Sequence, residues 1–278
     1  MRLIIEALLI LAALEQDHRA TVEEQTFPLD MAPNSVDDQY EGCTEKMINL
    51  VETEYLEKER SQPEREFAEL WGKGVRKARK PEDNLSKHHS QALYVYTNSH
   101  FTMYRDFNDA VRSEKQKYKE GTFKWYSLHF LLTEAIQILK KTQNRCYSTY
   151  RGTNVTFDKN VLNKEIRFGS FTSSSLNHHV AQVFGTKSCF EIYTCEGAEV
   201  TKYSIFPIEQ EVLIPPYETF KVTAVKTRIY QKDLWCDTVY TLKSTGKKSE
   251  LNCTVNCTVH QCQDRGGTFC TVRKKKKF

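Results

Sequence analysis

The sequence predicts an α+β fold in which a helical N-terminal half packs on a strand-rich C-terminal half. Between residues 38 and 141, apolar side chains recur at the spacing of one helix face. After Cys146 the chain changes to short runs rich in β-branched and aromatic residues, separated by turn residues. Because the two patterns do not alternate along the chain, a doubly wound parallel sheet is disfavoured.

Three helical regions are predicted in the first half. The first begins near Asp38 and is interrupted at Pro63, because proline breaks the hydrogen-bond ladder of a helix. The second runs from about 88 to 117. The third, from about 125 to 141, has a strong apolar stripe formed by Leu128, Leu131, Leu132, Ala135, Ile136 and Leu139. We interpret these stripes as faces of the hydrophobic core.

Runs that are typical of strands follow in the second half. They cover residues 188–193, 200–205, 211–214, 220–230 and 235–242. The sequence has no internal repeat and contains neither a G-x-G-x-x-G nor a G-x-x-x-x-G-K loop. Without the dinucleotide-binding pattern of redox enzymes, hydride transfer is disfavoured.

Composition favours one domain and gives no sign of a nucleic-acid partner. The 278 residues, 39% of them hydrophobic, suffice for one substantial core. The net charge is only +4, and the five basic residues of the tail at 273–277 carry more positive charge than that. We therefore expect no binding to nucleic acid.

The N-terminus favours export. Met1 and Arg2 precede an apolar run that reaches Leu14, and residues 1–20 are predicted to be a signal peptide with an open cleavage point. Glu6 interrupts the run, so the alternative is an amphipathic helix of the mature protein. The chain ends in a basic segment, and we expect neither a transmembrane segment nor a lipid anchor. The predicted location is extracellular.

Nine cysteines exceed the usual content of a cytosolic protein and favour disulfides. A zinc site is the alternative, because Cys253, Cys257 and Cys262 lie near His260, but paired CxxC motifs are absent and no metal is predicted. Sequons for N-glycosylation also fit export, and they stand at Asn84, Asn154, Asn252 and Asn256.

Three short segments of the strand-rich half carry candidate chemistry. They are Tyr150-Arg151-Gly152-Thr153, Phe171-Thr172-Ser173-Ser174-Ser175 and Glu209-Gln210-Glu211-Val212. Taken singly, they have ordinary interpretations as a surface ion pair, a loop or helix cap, and the edge of a solvated strand.

Together and in this order, the segments resemble the Arg, Ser-x-Ser and Glu-x-Glu signature of the arginine-specific mono-ADP-ribosyltransferases. These are vertebrate ecto-enzymes related to cholera-type toxins. The resemblance continues through Val36 to Cys43, Ala92 to Thr97, and Tyr104 to Val111, and it covers most of residues 36–253.

This resemblance implies cleavage of NAD between nicotinamide and ribose, with transfer of ADP-ribose to an arginine side chain. Positive charge develops on the ribose as the bond breaks, so a fixed carboxylate is needed beside it. Glu211 is implied to be that carboxylate. Glu209, which we predict to share a strand face with Glu211, would orient the arginine and help to remove its proton.

The resemblance also implies which residues bind NAD. Arg151 would contact the phosphates and ribose, where a bidentate cation is better suited than lysine. Gly152 would let the backbone come close to the cofactor. Ser173 would hold the nicotinamide ribose and orient Glu211, with Ser175 as its structural companion.

Further contacts are implied outside these motifs. Tyr96 and Ser204 would touch NAD, with a core aromatic as the alternative interpretation of Tyr96. Ser170 departs from the family, in which we expect a glutamine that touches the cofactor. The stretch 203–208 would form the turn that presents the acceptor, with Tyr203 and Phe206 exposed.

The resemblance implies two disulfides, Cys43 with Cys253 and Cys146 with Cys195. Five cysteines remain unassigned, and Cys189 and Cys236 are either paired or buried thiols.

Together these observations predict a secreted enzyme with a catalytic domain at 21–253 and a cysteine-rich basic extension at 254–278. NAD is its expected co-substrate, and arginine-bearing proteins are its expected acceptors. One alternative is an NAD glycohydrolase that uses water as acceptor. Another is a secreted binding protein that kept the fold without turnover.

Overall fold

The computed structural model describes residues 25–61, 66–98 and 103–254. The predicted signal peptide, the sequon at Asn256, and Cys257, Cys262 and Cys270 lie outside these residues. The described chain forms a mixed eight-stranded sheet with helices packed against it. The α+β architecture predicted from the sequence is confirmed.

Helices occupy most of the first half of the described chain. They are α1 (Thr44–Leu50), α2 (Leu56–Arg60), α3 (Glu66–Lys77), α4 (Lys87–Tyr96), α5 (Met103–Ser113), α6 (Lys115–Lys119) and α7 (Tyr126–Gln143). A π-helical turn, Val51–Tyr55, joins α1 to α2. A further short helix, α8 (His178–Val183), lies between strands of the second half.

Local side-chain chemistry fixes the ends of two of these helices. The Ser86 hydroxyl accepts from the His89 backbone N–H, and His89 Nδ1 accepts from the Ser86 N–H, which is a reciprocal capping box at the start of α4. Helix α7 ends where Asn144 takes a left-handed conformation with φ 43°. The six apolar residues predicted to form the core face of α7 are all buried.

The strands form two sheets. They are β1 (Thr26–Phe27), β2 (Tyr147–Thr153), β3 (Thr156–Phe157), β4 (Glu165–Ile166), β5 (Thr172–Ser175), β6 (Ser188–Thr194), β7 (Ala198–Glu199), β8 (Glu211–Ile214), β9 (Glu218–Thr227) and β10 (Thr238–Lys247). The large sheet has the order β4-β9-β10-β6-β2-β5-β8-β7, and β1 pairs with β3 separately. Only β10 and β6 run parallel within the large sheet as described. Strands β2, β5 and β8 are neighbours, so the three motif segments lie side by side.

Two hydrophobic clusters hold the layers together. The larger one joins the helices to the motif region of the sheet, where the rings of Phe107 and Phe171 stack with centroids 5.6 Å apart. A smaller one lies mostly among the other strands and includes Phe190, Phe220 and Tyr240. Because Phe171 directly precedes β5, the helical core fixes the start of the strand that carries the serine motif.

The strand prediction for residues 200–205 is wrong. The backbone N–H groups of Tyr203 and Ser204 both donate to the carbonyl of Val200, which makes a tight turn. Val200 and Tyr203 bury their side chains in the helical core rather than on a sheet face. The predicted strands 220–230 and 235–242 exist with shifted ends, at Glu218–Thr227 and Thr238–Lys247.

Three disulfides cross-link the described chain. The pairs implied by the resemblance, Cys43 with Cys253 and Cys146 with Cys195, are both present. Cys189 pairs with Cys236, which resolves the alternative that the sequence left open for these two residues. This third bridge joins β6 to the segment that leads into β10.

A buried ion pair connects the N-terminal segment, the sheet and the C-terminal end of the described fold. Arg167 Nη1 donates to Asp37 Oδ2 at 2.6 Å, and both side chains are at most 1% exposed. Arg167 also donates to the carbonyls of Met31, Ala32 and Lys248. The other oxygen of Asp37 accepts from the backbone N–H groups of residues 250 and 251. Nearly every polar atom of the pair is therefore satisfied by a different part of the chain.

We expect Asp37→Asn to lower the free energy of unfolding by about 3 to 5 kcal/mol, because it leaves the Arg167 charge buried without a partner. Urea denaturation followed by far-UV circular dichroism measures this loss. Asp109→Asn is the matched control, because Asp109 is 74% exposed in its pair with Arg112 and should matter by less than about 1 kcal/mol. Equal losses in the two variants would contradict the role given to the buried pair.

Candidate active site

A cavity of about 430 Å³ opens where β2, β5 and β8 lie side by side. Its walls come from these strands, α8, the C-terminal end of α4, the start of α5 and the turn before β8. The four predicted catalytic residues, Arg151, Ser173, Glu209 and Glu211, all line it. With Tyr96 and Gly152 on its walls, four of the five predicted NAD contacts line it as well. Side chains far apart in sequence therefore meet at one site.

Glu211 is the first residue of β8 and is only 5% exposed. The pKa of its carboxyl group is raised to about 7, chiefly by burial and to a smaller extent by the nearby charge of Glu209. A hydrogen bond from Ser173 and the charge of Arg151 act in the opposite direction and favour the carboxylate. A buried carboxyl group with a raised pKa in a cleft is typical of a functional site.

Ser173 and Arg151 are held together across neighbouring strands. Arg151 Nη1 donates to the backbone carbonyl of Ser173 at 2.6 Å. The Ser173 side chain adjoins both Glu211 and Tyr96, and its polar influence lowers the pKa of each group against the larger effect of burial. Ser173 therefore stands beside a buried carboxyl group and a buried phenol, and Arg151 fixes the backbone from which its hydroxyl projects.

Glu209 does not lie on the strand with Glu211, contrary to the prediction. It ends a short 3-10 turn, Pro207–Glu209, and Gln210 takes a left-handed conformation with φ 46° before β8 begins. The Ser175 hydroxyl donates to the Glu209 carbonyl at 2.6 Å and fixes this turn against β5. Both glutamates still face the same cavity. Partial burial raises the pKa of Glu209 as well.

Gly152 is required by packing inside the protein. A Cβ atom there would lie 2.2 Å from the Gly185 carbonyl oxygen and 2.3 Å from the Ala181 carbonyl oxygen. Only glycine therefore allows α8 and the turn after it to pack directly on β2. The sequence-based reason for this glycine was close approach to the cofactor, and the structure adds close approach to α8.

Tyr96 combines the two roles considered for it. It is 1% exposed among the rings of Tyr104, Phe107 and Phe171, as expected for a core aromatic at the end of α4. Its hydroxyl donates to the Phe171 carbonyl at 3.1 Å and accepts from Asn108 Nδ2 at 3.2 Å. Tyr96 also lines the cavity, next to Ser173. The contact with NAD stays a prediction.

Ser204 does not line the cavity, and its hydroxyl accepts the backbone N–H of Phe206 at 3.1 Å. The expectation that Tyr203 is exposed is wrong, since it is 1% exposed and its hydroxyl donates to Asp83 at 2.9 Å. Phe206 is partly buried. Ile208, at 81% exposure, is the outward apolar side chain of this turn.

Several cavity residues were not singled out from the sequence, among them Arg105 and Phe184. Arg105, in the first turn of α5, is exposed and brings a second guanidinium to the cavity, where it makes no ion pair with another described residue. Phe184 follows α8 and is 55% exposed at the cavity. Arg105 lies in the stretch from Tyr104 to Val111 that carried the resemblance. Its position in that stretch was the signal by which the sequence could have identified it. Ser170, the noted departure, accepts from Arg112 Nη2 at 2.8 Å.

Neither a metal site nor a membrane-spanning helix is found in the part of the chain that the structure describes. No three His, Cys, Asp or Glu side chains are grouped there in a way that could hold a metal ion. None of the described helices combines the length and apolar character needed to cross a bilayer.

Comparisons with known proteins agree with this geometry. Residues 29–249 match the family model described as NAD:arginine ADP-ribosyltransferase. The chain is 34% identical to the GPI-linked NAD(P)(+)--arginine ADP-ribosyltransferase 1 of Oryctolagus cuniculus, over 90% of this chain and 82% of that protein. It is 37% identical to the NAD(P)(+)--arginine ADP-ribosyltransferase 2 of Gallus gallus, over 82% of this chain and 73% of that protein. Since the rabbit relative is named as GPI-linked, the absence of a lipid anchor here stays a prediction.

Solved structures agree as well. A mutant of the eucaryotic mono-ADP-ribosyltransferase ART2.2 in complex with NADH is 33% identical and superposes with a TM-score of 0.68, over 82% of this chain and 98% of that chain. Another crystal structure of ART2.2 gives a TM-score of 0.67 at the same identity and coverage. The predicted enzyme class and the predicted co-substrate are both confirmed, since the chain belongs to the NAD:arginine ADP-ribosyltransferase family and uses NAD.

Proposed function

We propose that this chain is a secreted mono-ADP-ribosyltransferase that cleaves NAD, releases nicotinamide and joins ADP-ribose to arginine side chains of proteins. The observation that carries the proposal is the placement of two glutamates in one cavity at different depths. Glu211 is 5% exposed, whereas Glu209 stands on a turn where it is only partly buried. One carboxyl group can therefore serve the enclosed ribose while the other meets an acceptor from outside.

In the first step the bond between the ribose C1′ and the nicotinamide nitrogen breaks. Its electron pair leaves with nicotinamide, which becomes neutral, and positive charge remains on the ribose ring. The Glu211 carboxylate, held by Ser173, would stabilise this charge and bind a ribose hydroxyl. A fixed carboxylate that is shielded from water acts strongly here because it needs no reorganisation when the charge develops.

The two arginines of the cavity support binding of the NAD diphosphate. Arg151 is held on β2 by its bond to the Ser173 carbonyl, while Arg105 approaches from α5. Guanidinium groups suit phosphate oxygens because their planar donors bind two oxygens at once. We propose Tyr96 and Gly152 as further contacts. Ser204 belongs to the 203–208 turn and would act by accepting the backbone N–H of Phe206, which fixes that turn.

In the second step a guanidinium nitrogen of the acceptor attacks C1′. A carbon–nitrogen bond forms, and the nitrogen gives up a proton. Glu209 would orient the planar guanidinium and receive that proton, and partial burial prepares it by raising its pKa. Water in place of arginine would make the chain an NAD glycohydrolase, and the open position of Glu209 makes this the alternative to be tested.

Export is supported by the covalent structure. Three disulfides join six of the nine cysteines, and such bridges persist in oxidising compartments outside the cytosol. We propose that residues 21–253 form the catalytic domain behind a removed leader and that 254–278 form an extension. Arginine-bearing extracellular or lumenal proteins would be the acceptors.

Glu211→Gln should lower both arginine modification and nicotinamide release by about a thousandfold, because it removes the charge that stabilises the transition state. Labelled NAD with a polyarginine acceptor measures both reactions. Glu57→Gln, which neutralises an exposed helical glutamate, is the control and should keep wild-type rates. Near-normal rates in Glu211→Gln would contradict the role proposed for this residue in NAD cleavage.

Glu209→Gln should separate the two half-reactions. We expect arginine modification to fall by about a hundredfold, the contribution of a positioned proton acceptor, while nicotinamide release continues with water as acceptor. The ratio of modified arginine to released nicotinamide is the readout. If both products fall in parallel, Glu209 serves NAD cleavage as well and the division of roles is wrong.

Glu211→Gln should also stabilise the fold above neutral pH. Because the folded-state pKa of Glu211 lies near 7 and its ordinary value is 4.5, the folded protein loses stability as pH rises through that interval. At pH 8 the free energy of unfolding of the variant should exceed that of the wild type by up to about 3 kcal/mol. Below pH 4.5 the difference should vanish. A gain that does not depend on pH would point to packing rather than charge.

A further inference from the structure

Three of the sequons lie in the described part of the chain, and their surroundings differ. Asn252 is engaged in a reciprocal pair with the backbone of Glu41, donating to its carbonyl at 3.0 Å and accepting from its N–H at 2.8 Å. Asn84 is exposed before α4. Asn154 is exposed directly after β2, three residues beyond Arg151.

Asn154 stands at the cavity that holds the catalytic residues. It lines that cavity together with Val155 and Phe184. Its Oδ1 faces Gly185, where an added Cβ would lie 2.5 Å from that oxygen. The amide nitrogen makes no hydrogen bond with any residue that the structure describes. Packing thus holds one side of the carboxamide, and the nitrogen that accepts a glycan stays available.

Asn154 and Glu209 line the same cavity from different elements, Asn154 from the end of β2 and Glu209 from the turn before β8. Strand β5 lies between β2, which leads to Asn154, and β8, which begins at Glu211. Neighbouring strands are about 4.8 Å apart, and Tyr150, Ser175 and Glu211 stand in register, so about 10 Å separates Tyr150 from Glu211, and Asn154 lies four residues farther along the chain from Tyr150. A protein that offers an arginine to Glu209 must approach through this opening.

We propose that Asn154 carries an N-linked glycan that narrows the approach to the active site and selects the acceptor. This inference rests on the proposed function, both for passage through the secretory pathway and for transfer to arginine. The glycan is bulky, hydrated and anchored at the edge of the cavity. Small arginine compounds and NAD pass it, whereas a folded protein reaches Glu209 only with an arginine on a protruding or flexible segment.

The sequon offers a test that leaves Asn154 in place. Thr156→Ala removes the sequon, whereas Thr156→Ser keeps it, and Thr156 itself does not line the cavity. Asn84→Asp removes a glycan site at the other end of α4, a ten-residue helix about 15 Å long. All proteins are full-length chains secreted by cells that N-glycosylate, and glycan occupancy is read from peptide masses.

The readout compares agmatine with a folded arginine-bearing protein as acceptor. Thr156→Ala should raise kcat/KM for the protein acceptor by about tenfold over Thr156→Ser, because more approach orientations become productive. The rate with agmatine and the release of nicotinamide should stay equal. Asn84→Asp should behave like the wild type with both acceptors.

Two results would overturn this inference. One is a wild-type peptide without glycan at Asn154, and the other is an unchanged ratio of protein to agmatine modification in Thr156→Ala. If neither the wild type nor any variant modifies agmatine or the protein acceptor, the proposed transferase function itself is contradicted. Trimming the wild-type glycan to one sugar should reproduce the effect of Thr156→Ala in part.

Discussion

The buried pair of Asp37 and Arg167 is the constraint on which the rest of the architecture depends. Removing two charges from water is costly, and the cost is offset only when every remaining donor and acceptor is satisfied. Here the satisfying groups are backbone atoms from residues 31–32, 248 and 250–251, so the pair forms only when those segments have converged. The neighbouring Asp38 likewise connects distant segments, because its carboxylate accepts from the backbone N–H groups of Tyr40 and Cys253. The two adjacent aspartates near the N-terminus, Asp37 and Asp38, are therefore structural residues of the folded protein.

On that framework the active site holds a carboxyl group in an environment that disfavours its charge. Burial raises the pKa of Glu211 to about 7, so the ionised form that the proposed cleavage would use is the one that destabilises the fold. The neighbouring core offsets this cost, since Phe171 stacks on Phe107 and fixes the strand that bears Ser173. Stability and catalysis therefore make opposite demands on one residue, as expected where a site is preorganised for a transition state.

The sequence predicted the helices, the mixed architecture and the residues that meet in the cavity, because periodicity and ordered motifs carry that information. It failed where tertiary contacts override local pattern. Residues 200–205 have the composition of a strand, but Val200 and Tyr203 pack into the helical core and the backbone turns between them. The pairing of Cys189 with Cys236 depends on which strands become neighbours, which spacing alone does not give. Arg105 looks like any exposed helical arginine until the fold brings the start of α5 to the cavity.

The separate anchoring of the two glutamates is the feature that two-residue spacing could not reveal. Glu211 is fixed by its strand pairing with Ser175, whereas Glu209 is fixed by a hydrogen bond from the Ser175 hydroxyl to its carbonyl and by the left-handed Gln210. Ser175 thus positions both glutamates, Glu211 through backbone pairing and Glu209 through its hydroxyl. Because the turn lies outside the strand ladder, its side chains can change without disturbing β8. On the proposed mechanism, acceptor choice would therefore depend on residues of the turn and the opposite rim, while NAD cleavage would depend on the sheet beneath them.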